Sequence, residues 1–412
     1  MADIAVSGKK STKNVVWTKK PLSKPKAKIR VGTLFSGIGA AEHALQRLKL
    51  KTEIVFAGDI DPHVKQSYFK NYKISEDRWH DDVNDFDAKP FKGKVDVVIG
   101  GAPCQAFSMV GKRGGLEDIR GTLVFQFIRV VEECAPKVFI FENVRGLLSQ
   151  DDGKSWIKIQ QKFEKLGYVI KYDVLNSKDY GVPQNRQRLF VIGFKNKKTK
   201  FSFPEPIPLK LEMKDLLEDS HDEDVYLREK GVKFVTSSKN RQKRYTQING
   251  QVALCQKRNQ QSNWHGDFVF EFVDKPEKNP LKHDEFLFKV ADVEEKYFLS
   301  EQVRNYVLAT GTKTFKTRPE TDLPVARPLL QSMHKMHRAG VDNYITEPLG
   351  KIRKLTPREC LRLMGFRDTF DICVSNTQMY RQTGNSIVVD VLMAIFKQMD
   401  ISKYGVTDAH RK

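Results

Sequence analysis

Short apolar runs alternate with segments of helical periodicity between Ile29 and about residue 194. The runs IRVGTLF, EIVFAGD, VDVVIGG, KVFIFEN, VIKYDVL and RLFVIGF have the length and composition of buried strands. Between the first five lie AAEHALQRL, HVKQSYFKNY, TLVFQFIRVVEE and SWIKIQQKFEKLG, whose apolar residues recur at helical spacing. Alternating strands and helices are typical of a parallel sheet covered on both faces. The pattern therefore predicts a doubly wound α/β domain.

Changes in composition and apolar periodicity along the chain predict five parts. A Lys-rich flexible arm (1–28) precedes the α/β domain (29–195), and a Pro-punctuated, weakly periodic second domain follows (196–350). In the next part, which we interpret as a hinge (351–383), Thr356 can cap a helix with Glu359 three residues later. The last part (384–412) contains the apolar helix SIVVDVLMAIFKQM, which we expect to return to the first domain.

Composition narrows the class of protein. The chain has 412 residues, 40% of them hydrophobic, which excludes a disordered chain. No apolar run approaches the roughly 18 residues of a membrane span, and no signal peptide begins the chain, so we expect a soluble protein. Five cysteines without a C-x-x-C pair argue against a disulfide framework or a structural zinc site.

The net charge points to a polyanionic partner. Lys and Arg total 71 against 51 Asp and Glu, a formal charge of +20. Such a charge attracts phosphate backbones, so nucleic acid is the first hypothesis. A basic composition that serves only solubility is the alternative.

A glycine-rich turn follows the first predicted strand. Gly37 and Gly39 have G-x-G spacing, and Asp59 closes the next strand 20 residues after Gly39. A turn of this kind admits a ligand to the backbone, and a carboxylate on the second strand can accept the hydroxyls of a ribose. Glu42 stands where a dinucleotide site has its third glycine, which favours a nucleoside cofactor without a pyrophosphate. A tight turn beside an exposed acid is the alternative.

Two further reactive groups follow buried strands. Cys104 comes after VDVVIGG and Pro103, and Glu142 ends the run KVFIFEN. Parallel strands end at one edge of a sheet, so both should face the crevice of the glycine turn. There Cys104 is a candidate nucleophile and Glu142 a candidate acid. A buried inert cysteine and a helix-capping acid are the alternatives.

Two arginines lie at the start of the strand RLFVIGF, one before it and one as its first residue. Arg186 and Arg188 alternate in Q-x-R-x-R, so in an extended segment both guanidinium groups could point at one anion. A solvated edge strand is the alternative.

Taken together, these residues resemble the cytosine carbon-5 DNA methyltransferase family of restriction-modification type. The resemblance covers almost all of 29–194 and 351–400, in the order of the family's motifs. They read LFSGIGA, GDID, DDV, GGAPCQAFS, RGTLVFQF, FENVRGL, DYGVPQNRQRLFVIGF, RKLTPRECLRLMGF and QTGNSIVVDVL.

The resemblance implies a Rossmann-like sheet that binds S-adenosylmethionine, and a smaller, irregular target-recognition domain at 196–350. Phe35 would stack on the adenine, Asp59 would hold the ribose, and Asp82 with Val83 would meet the adenine edge. The other implied cofactor residues are Gly37, Ile38, Gly39, Ile60, Pro103, Leu123, Phe366, Asn385 and Ser386. No metal is implied, and the released cofactor is S-adenosylhomocysteine.

The implied chemistry starts with addition of Cys104 to carbon 6 of a cytosine flipped out of the duplex. Glu142 would act at ring nitrogen 3, Arg188 near the base carbonyl, and Arg186 on a phosphate or on Glu142. The loop 108–121 would close over the base, and its Lys112 and Arg113 are candidate DNA-binding residues. An ordinary surface loop is the alternative.

The implied partner is double-stranded DNA, read in the second domain. Candidate readers are Gln331, His334, His337 and Arg338. The family also implies a monomer in the bacterial cytoplasm, a functional pairing with a cognate restriction endonuclease, and no membrane. Three alternatives remain: a transfer-RNA cytosine methyltransferase with the same motifs, a non-catalytic DNA-binding module, and a hydride-transfer enzyme, which the missing third glycine disfavours.

Overall fold

The apolar runs of the first half form one seven-stranded sheet. In the computed structural model its strands are β1 (Ile29–Leu34), β2 (Thr52–Gly58), β3 (Trp79–His80), β4 (Val97–Gly100), β5 (Val138–Val144), β6 (Val169–Asn176) and β7 (Gln187–Phe194). They lie in the order β3-β2-β1-β4-β5-β7-β6. The structure describes residues 17–24, 28–103, 122–216, 246–248, 266–268, 295–309, 320–334, 337–338, 341–346, 352–354 and 356–405.

Helices connect and cover these strands. Within the described residues they are α1 (Ala40–Arg47), α2 (Pro62–Asn71), α3 (Thr122–Cys134), α4 (Lys154–Lys165), α5 (Glu301–Leu308), α6 (Pro357–Leu363), α7 (Asn376–Asn385) and α8 (Val389–Met399). Two small two-stranded sheets lie outside the main one. They pair β8 (Thr246–Ile248) with β9 (Gly266–Phe268), and β10 (Tyr344–Thr346) with β11 (Ile352–Lys354). None of the described helices combines the length and apolar character needed to cross a membrane.

The sheet is parallel except for one strand. β1 to β5 pair in parallel, as expected, but β7 lies antiparallel between β5 and β6. The reason is the connection from β6 to β7, which consists of residues 177–186 and no crossover helix. A parallel pair needs a crossover of a dozen or more residues, so this chain segment turns back on itself.

Alternate residues of the strands enter two separate cores, which confirms a sheet covered on both faces. Val97 and Ile99 belong to the core that includes α1 and α8. Val98, between them, and Phe139 on β5 belong to the core that includes α3 and α4. This is the two-residue period of a strand whose two faces are both buried.

The C-terminal helix α8 packs beside α1. Arg47 of α1 and Asp390 of α8 form a buried ion pair with an Nη1–Oδ2 distance of 2.7 Å. Upstream, α6 begins at the capping box predicted for Thr356 and Glu359, in which each side chain accepts a hydrogen bond from the other residue's backbone N–H. The sequence pattern placed the start of α8 near residue 386, but the helix begins at Val389.

Candidate active site

The glycine turn after β1 has backbone angles that explain its composition. Phe35, Gly37 and Gly39 have φ values of 51°, 53° and 75°, in the left-handed region. A Cβ at Gly39 would lie 2.2 Å from the ring of Tyr72, so a larger residue does not fit there. A Cβ at Gly37 would meet no atom within 4 Å, which leaves open space beside the turn for a ligand.

Asp59 lies against this turn at the end of β2. Its Oδ2 accepts a hydrogen bond from the backbone N–H of Gly37 (3.1 Å), and its Oδ1 accepts one from that of Asp61 (3.1 Å). Burial raises the pKa of the Asp59 carboxyl group. The neighbouring Ile60 side chain is 74% exposed, beside this carboxyl group.

Glu42 supports the glycine turn through buried hydrogen bonds. In the sequence it was notable only as a departure from the dinucleotide pattern. Its Oε1 accepts hydrogen bonds from Thr33 Oγ1 (2.8 Å) and Tyr68 Oη (2.7 Å). Thr33 Oγ1 also lies 2.9 Å from Ser36 Oγ, which accepts the N–H of Gly58. Burial raises the pKa of Glu42, so the neutral acid is favoured. The sequence signal for this role is an acid within an otherwise apolar first helical turn.

A second residue that sequence reasoning missed is Arg129 of α3, which holds the segment after β3. Its guanidinium donates to the carbonyls of Val83 (2.7 Å) and Phe86 (2.9 Å). It also bonds both oxygens of Glu133 at 3.0 Å, and Glu133 accepts the N–H of Ala88. Asp82 precedes this clamp, and its Oδ1 accepts the N–H of Asn84 (2.9 Å). The sequence signal is a charged residue inside the apolar stripe of α3.

Glu142 lies near the end of β5, beside the turn that follows β4. Arg188 of β7 is its diagonal neighbour, with an Nε–Oε1 distance of 3.2 Å. Burial raises the pKa of Glu142 even though Arg188 and Arg186 act to lower it. A Cβ on Gly101 would lie 2.7 Å from Glu142 Oε2, so the absence of a side chain at Gly101 lets the carboxyl group reach this turn.

The adjacent Asn143, also missed, is 2% exposed and ties β5 to the same turn. Its Nδ2 donates to the carbonyl of Ala102 (3.4 Å), one residue before Pro103. Cys104 itself lies outside the described residues, as do Lys112, Arg113 and the rest of the loop 108–121.

The two arginines of the Q-x-R-x-R segment have different partners. Arg188 pairs with Glu142, whereas Arg186, which precedes β7, is 3% exposed and donates to the carbonyls of Leu329, Gly384 and Ser386. Gln184 likewise binds Leu363 and Leu329. This segment therefore joins the sheet to three later parts of the chain.

The remaining predicted cofactor residues differ in exposure. Ile38 and Val83 are buried, Leu123 is half-buried, and Pro103 and Asn385 are exposed. Ser386 is 5% exposed, and its carbonyl accepts Arg186. Phe366 is 1% exposed and packs against the ring of His43 at 4.8 Å, inside the core instead of facing a crevice.

Of the candidate base readers, Arg338 has surroundings that disagree with the prediction. It is 4% exposed and pairs with Asp342 through an Nη2–Oδ1 distance of 3.1 Å, so in this conformation its guanidinium is buried instead of facing solvent. Gln331, His334 and His337 are half-buried, and His334 Nδ1 lies 2.8 Å from the carbonyl of Gln331. In the part of the chain that the structure describes, no three His, Cys, Asp or Glu side chains gather as a metal site would require.

Comparison with solved structures supports the fold. The methyltransferase Dnmt2 of S. pombe superposes with a TM-score of 0.58 at 20% identity, covering 90% of this chain and 98% of that one. A putative DNA modification methyltransferase encoded within prophage Cp of E. coli superposes with a TM-score of 0.55 at 23% identity, covering 90% and 98%.

Sequence comparison identifies the family. The Bacillus phage SPR protein "Orphan methyltransferase M.SPRI" is 31% identical over 90% of this chain and 97% of its own length. The Shigella sonnei protein "Type II methyltransferase M.SsoII" is 30% identical over 90% of this chain and 79% of its own. The family model for C-5 cytosine-specific DNA methylases matches residues 29–400. The chain therefore belongs to this family and is a DNA (cytosine-5-)-methyltransferase of the restriction-modification type.

Proposed function

We propose that the protein methylates carbon 5 of a cytosine flipped out of a specific duplex sequence, through a covalent adduct with Cys104. The observation that carries this proposal is the position of Glu142: a buried carboxyl group of raised pKa, against the turn that leads into Cys104. Three peptide units separate Gly101 from Cys104, a reach of at most about 11 Å. This short reach supports a place for both nucleophile and acid at one end of the sheet.

The chemistry requires a nucleophile because carbon 5 of cytosine is too weakly nucleophilic to attack a methyl group. When the Cys104 sulfur bonds to carbon 6, electron density moves to carbon 5, and the negative charge extends into the ring. After methyl transfer, the carbon-5 proton passes to solvent, and its electron pair re-forms the double bond between carbons 5 and 6. The carbon–sulfur bond breaks with its pair on sulfur, which releases 5-methylcytosine and the Cys104 thiolate.

Glu142 acts where that ring charge develops. Its raised pKa keeps a proton available toward neutral pH, and donation of this proton to ring nitrogen 3 stabilises the adduct. Arg188 holds the carboxyl group from the β7 side through its ion pair with Glu142. In the proposed complex it also contacts the carbonyl of the same base. Arg186 keeps its donors on three carbonyls, so its contribution is to position the segment that contains Arg188.

The described residues fit S-adenosylmethionine, which supplies an electrophilic methyl group on a sulfonium. Gly37 borders open space, Asp59 presents a carboxyl group with lone pairs for ribose hydroxyls, and exposed Ile60 can cover the adenine. Asp82 and Val83 meet the adenine edge, and the bond from Arg129 to the Val83 carbonyl positions them.

Duplex DNA is the substrate that the family description supports, and the target base must leave the stack, at a cost of roughly a few kcal/mol. The relative from Shigella sonnei is described as a Type II methyltransferase. By analogy, the methylation serves to protect DNA from a cognate restriction endonuclease. The relative from Bacillus phage SPR is described as an orphan methyltransferase, so the endonuclease need not be present in every case.

The test has two steps. Bisulfite sequencing of DNA from bacteria that express the chain identifies the methylated cytosine, and a duplex with 5-fluorocytosine at that position is then incubated with protein and S-adenosylmethionine. Fluorine, unlike hydrogen, cannot leave carbon 5 as a cation, so the cysteine cannot be eliminated after methyl transfer. We therefore expect a covalent complex that survives denaturant, and none with Cys104→Ala. Methylation of transfer RNA alone, or an adduct that persists in Cys104→Ala, would contradict the proposal.

A further inference from the structure

Exposed lysines collect at the end of the sheet opposite the active site. We call this end, where the parallel strands begin, the amino edge, and the end that carries Asp59, Gly101 and Glu142 the carboxyl edge. The exposed amino-edge lysines on which the argument rests are Lys28, Lys51, Lys94, Lys197, Lys198 and Lys200. They come from four separate stretches of the chain, so no single charge run accounts for them.

Backbone hydrogen bonds place these stretches side by side. Ile29 donates to the Lys51 carbonyl (3.0 Å), and Asp96 donates to that of Arg30 (2.8 Å). Lys137 then donates to Asp96 (3.0 Å), and Lys195 donates to Lys137 (2.9 Å). The contacts follow the strand order β2-β1-β4-β5-β7, and at about 4.8 Å per strand they span roughly 19 Å. A duplex of that length presents about 11 phosphates.

Some acidic side chains at the amino edge are already paired with basic groups. Asp96 is fully buried and binds Arg30 and Lys137, and Glu53 pairs with Arg78 at 3.0 Å. Three further exposed acids lie at this edge: Asp77 before β3, Glu132 near the end of α3 and Glu164 near the end of α4. The six lysines outnumber these three acids, so the balance is positive.

The amino edge cannot contact the DNA segment that holds the target base, because the strands separate the two. From Val138 to Glu142 along β5 is four residue steps, roughly 13 Å, and the two ends face in opposite directions. We propose that the amino-edge lysines bind the phosphates of a second duplex segment, without sequence preference, while the carboxyl edge engages the target. The proposal shares with the proposed function only the use of duplex DNA as the polyanion.

The test compares two triple variants of the full chain with equal loss of positive charge. Lys197→Glu/Lys198→Glu/Lys200→Glu changes the amino edge, and the control Lys154→Glu/Lys158→Glu/Lys178→Glu changes exposed positions in the first half of α4 and in the turn after β6, away from that edge. A duplex fixed on beads binds the protein, and capture of a second, labelled duplex is measured across salt concentrations. Methylation of a short duplex by each variant is measured in parallel.

We expect the wild type and the control variant to capture the second duplex and the amino-edge variant to lose most of this capture. Three lost phosphate contacts lower the salt-dependence slope by about 2.7. Short-duplex methylation should persist in both variants. Equal losses in both variants, or undiminished capture by the amino-edge variant, would overturn the proposal, as would lysine-dependent binding of anionic lipid vesicles without DNA capture. A wild type that captures DNA but never methylates would refute the proposed function alone.

Discussion

Two buried carboxyl groups, Asp96 and Glu142, lie at opposite ends of the same sheet and have opposite pKa shifts. Burial alone would raise the pKa of Asp96, but hydrogen bonds from the side chains of Arg30 and Lys137 and the backbone N–H of Arg30 outweigh it and hold the pKa below its usual range. Burial raises the pKa of Glu142, because the ion pair with Arg188 at 3.2 Å does not compensate for the lost hydration.

The opposite pKa shifts show how the surroundings of a carboxyl group decide whether it can exchange a proton. A carboxylate that is fully hydrogen-bonded and paired stays ionised and connects segments of the chain. A buried carboxyl group with fewer donors retains its proton more readily and can exchange it with a substrate. Asp96 therefore suits a structural role, and Glu142 has the protonation property that the proposed mechanism requires.

The largest expected effect is on turnover, from Glu142→Gln. Glutamine keeps the size of the side chain but cannot supply the proton, so kcat should fall about 100- to 10,000-fold. The wild-type rate should decrease as pH rises through the raised pKa, because the proton is lost, and the variant should lack that dependence. Single-turnover methylation across pH measures both. The exposed Glu164→Gln serves as control, and a near-normal rate in Glu142→Gln would remove the carboxyl group from the mechanism.

The converse substitution, Asp96→Asn, should reduce stability and leave turnover per folded molecule unchanged. Loss of the charge leaves buried Arg30 without its counter-ion, which costs about 3 kcal/mol in the free energy of unfolding. The pKa of Asp96 is lowered by folding, so its contribution is present above about pH 4 and is lost as pH falls through the folded-state pKa. Urea unfolding at several pH values should show the gap between wild type and variant closing in acid. A gap that widens in acid would contradict the assignment.

A smaller effect is expected on the cofactor from Asp59→Ala. The substitution removes the acceptor for the Gly37 N–H and for the ribose hydroxyls, which should weaken binding about 10- to 100-fold. Calorimetry with S-adenosylhomocysteine measures this affinity, with DNA binding measured alongside. The neighbouring Asp61→Ala, which removes a side-chain cap of α2, is the matched control and should weaken the cofactor less.

The smallest effect concerns selectivity, from Arg129→Lys. Lysine retains a charge beside Glu133 but cannot bond Val83, Phe86 and Glu133 as a guanidinium does, so the segment 82–88 should lose its fixed position. We expect about a 10-fold fall in the preference for S-adenosylhomocysteine over its hypoxanthine analogue, measured as a ratio of Kd values. The control is Arg78→Lys. Arg78 lies directly before β3, and its guanidinium donates to the carbonyl of Ile54 near the start of β2. Equal weakening of both ligands would indicate a general structural effect.

Strands and helices of the first half were predictable because their apolar periods are strong and their ends carry turn residues. The Q-x-R-x-R segment was less predictable. Residues alternate between faces only within a strand, and β7 begins at Gln187, so Arg186 lies in irregular chain with its own partners. Residue type alone also does not separate reactive from inert cysteines: burial raises the pKa of the Cys134 thiol to about 12.

The amino-acid sequence alone determined the α/β class, the glycine turn with Asp59, and the set of motifs that marks a cytosine methyltransferase, since each depends on neighbours close in the chain or on residue identity. Only the tertiary structure decided which carboxyl groups have all their hydrogen bonds, that Glu42 supports the glycine turn and Arg129 the segment after β3, and that lysines from separate stretches share one edge. Those properties depend on partners that folding brings from distant positions, such as Lys137 beside Asp96 and Arg129 beside Val83. The degree of burial that shifts each pKa likewise exists only once the sheet is assembled.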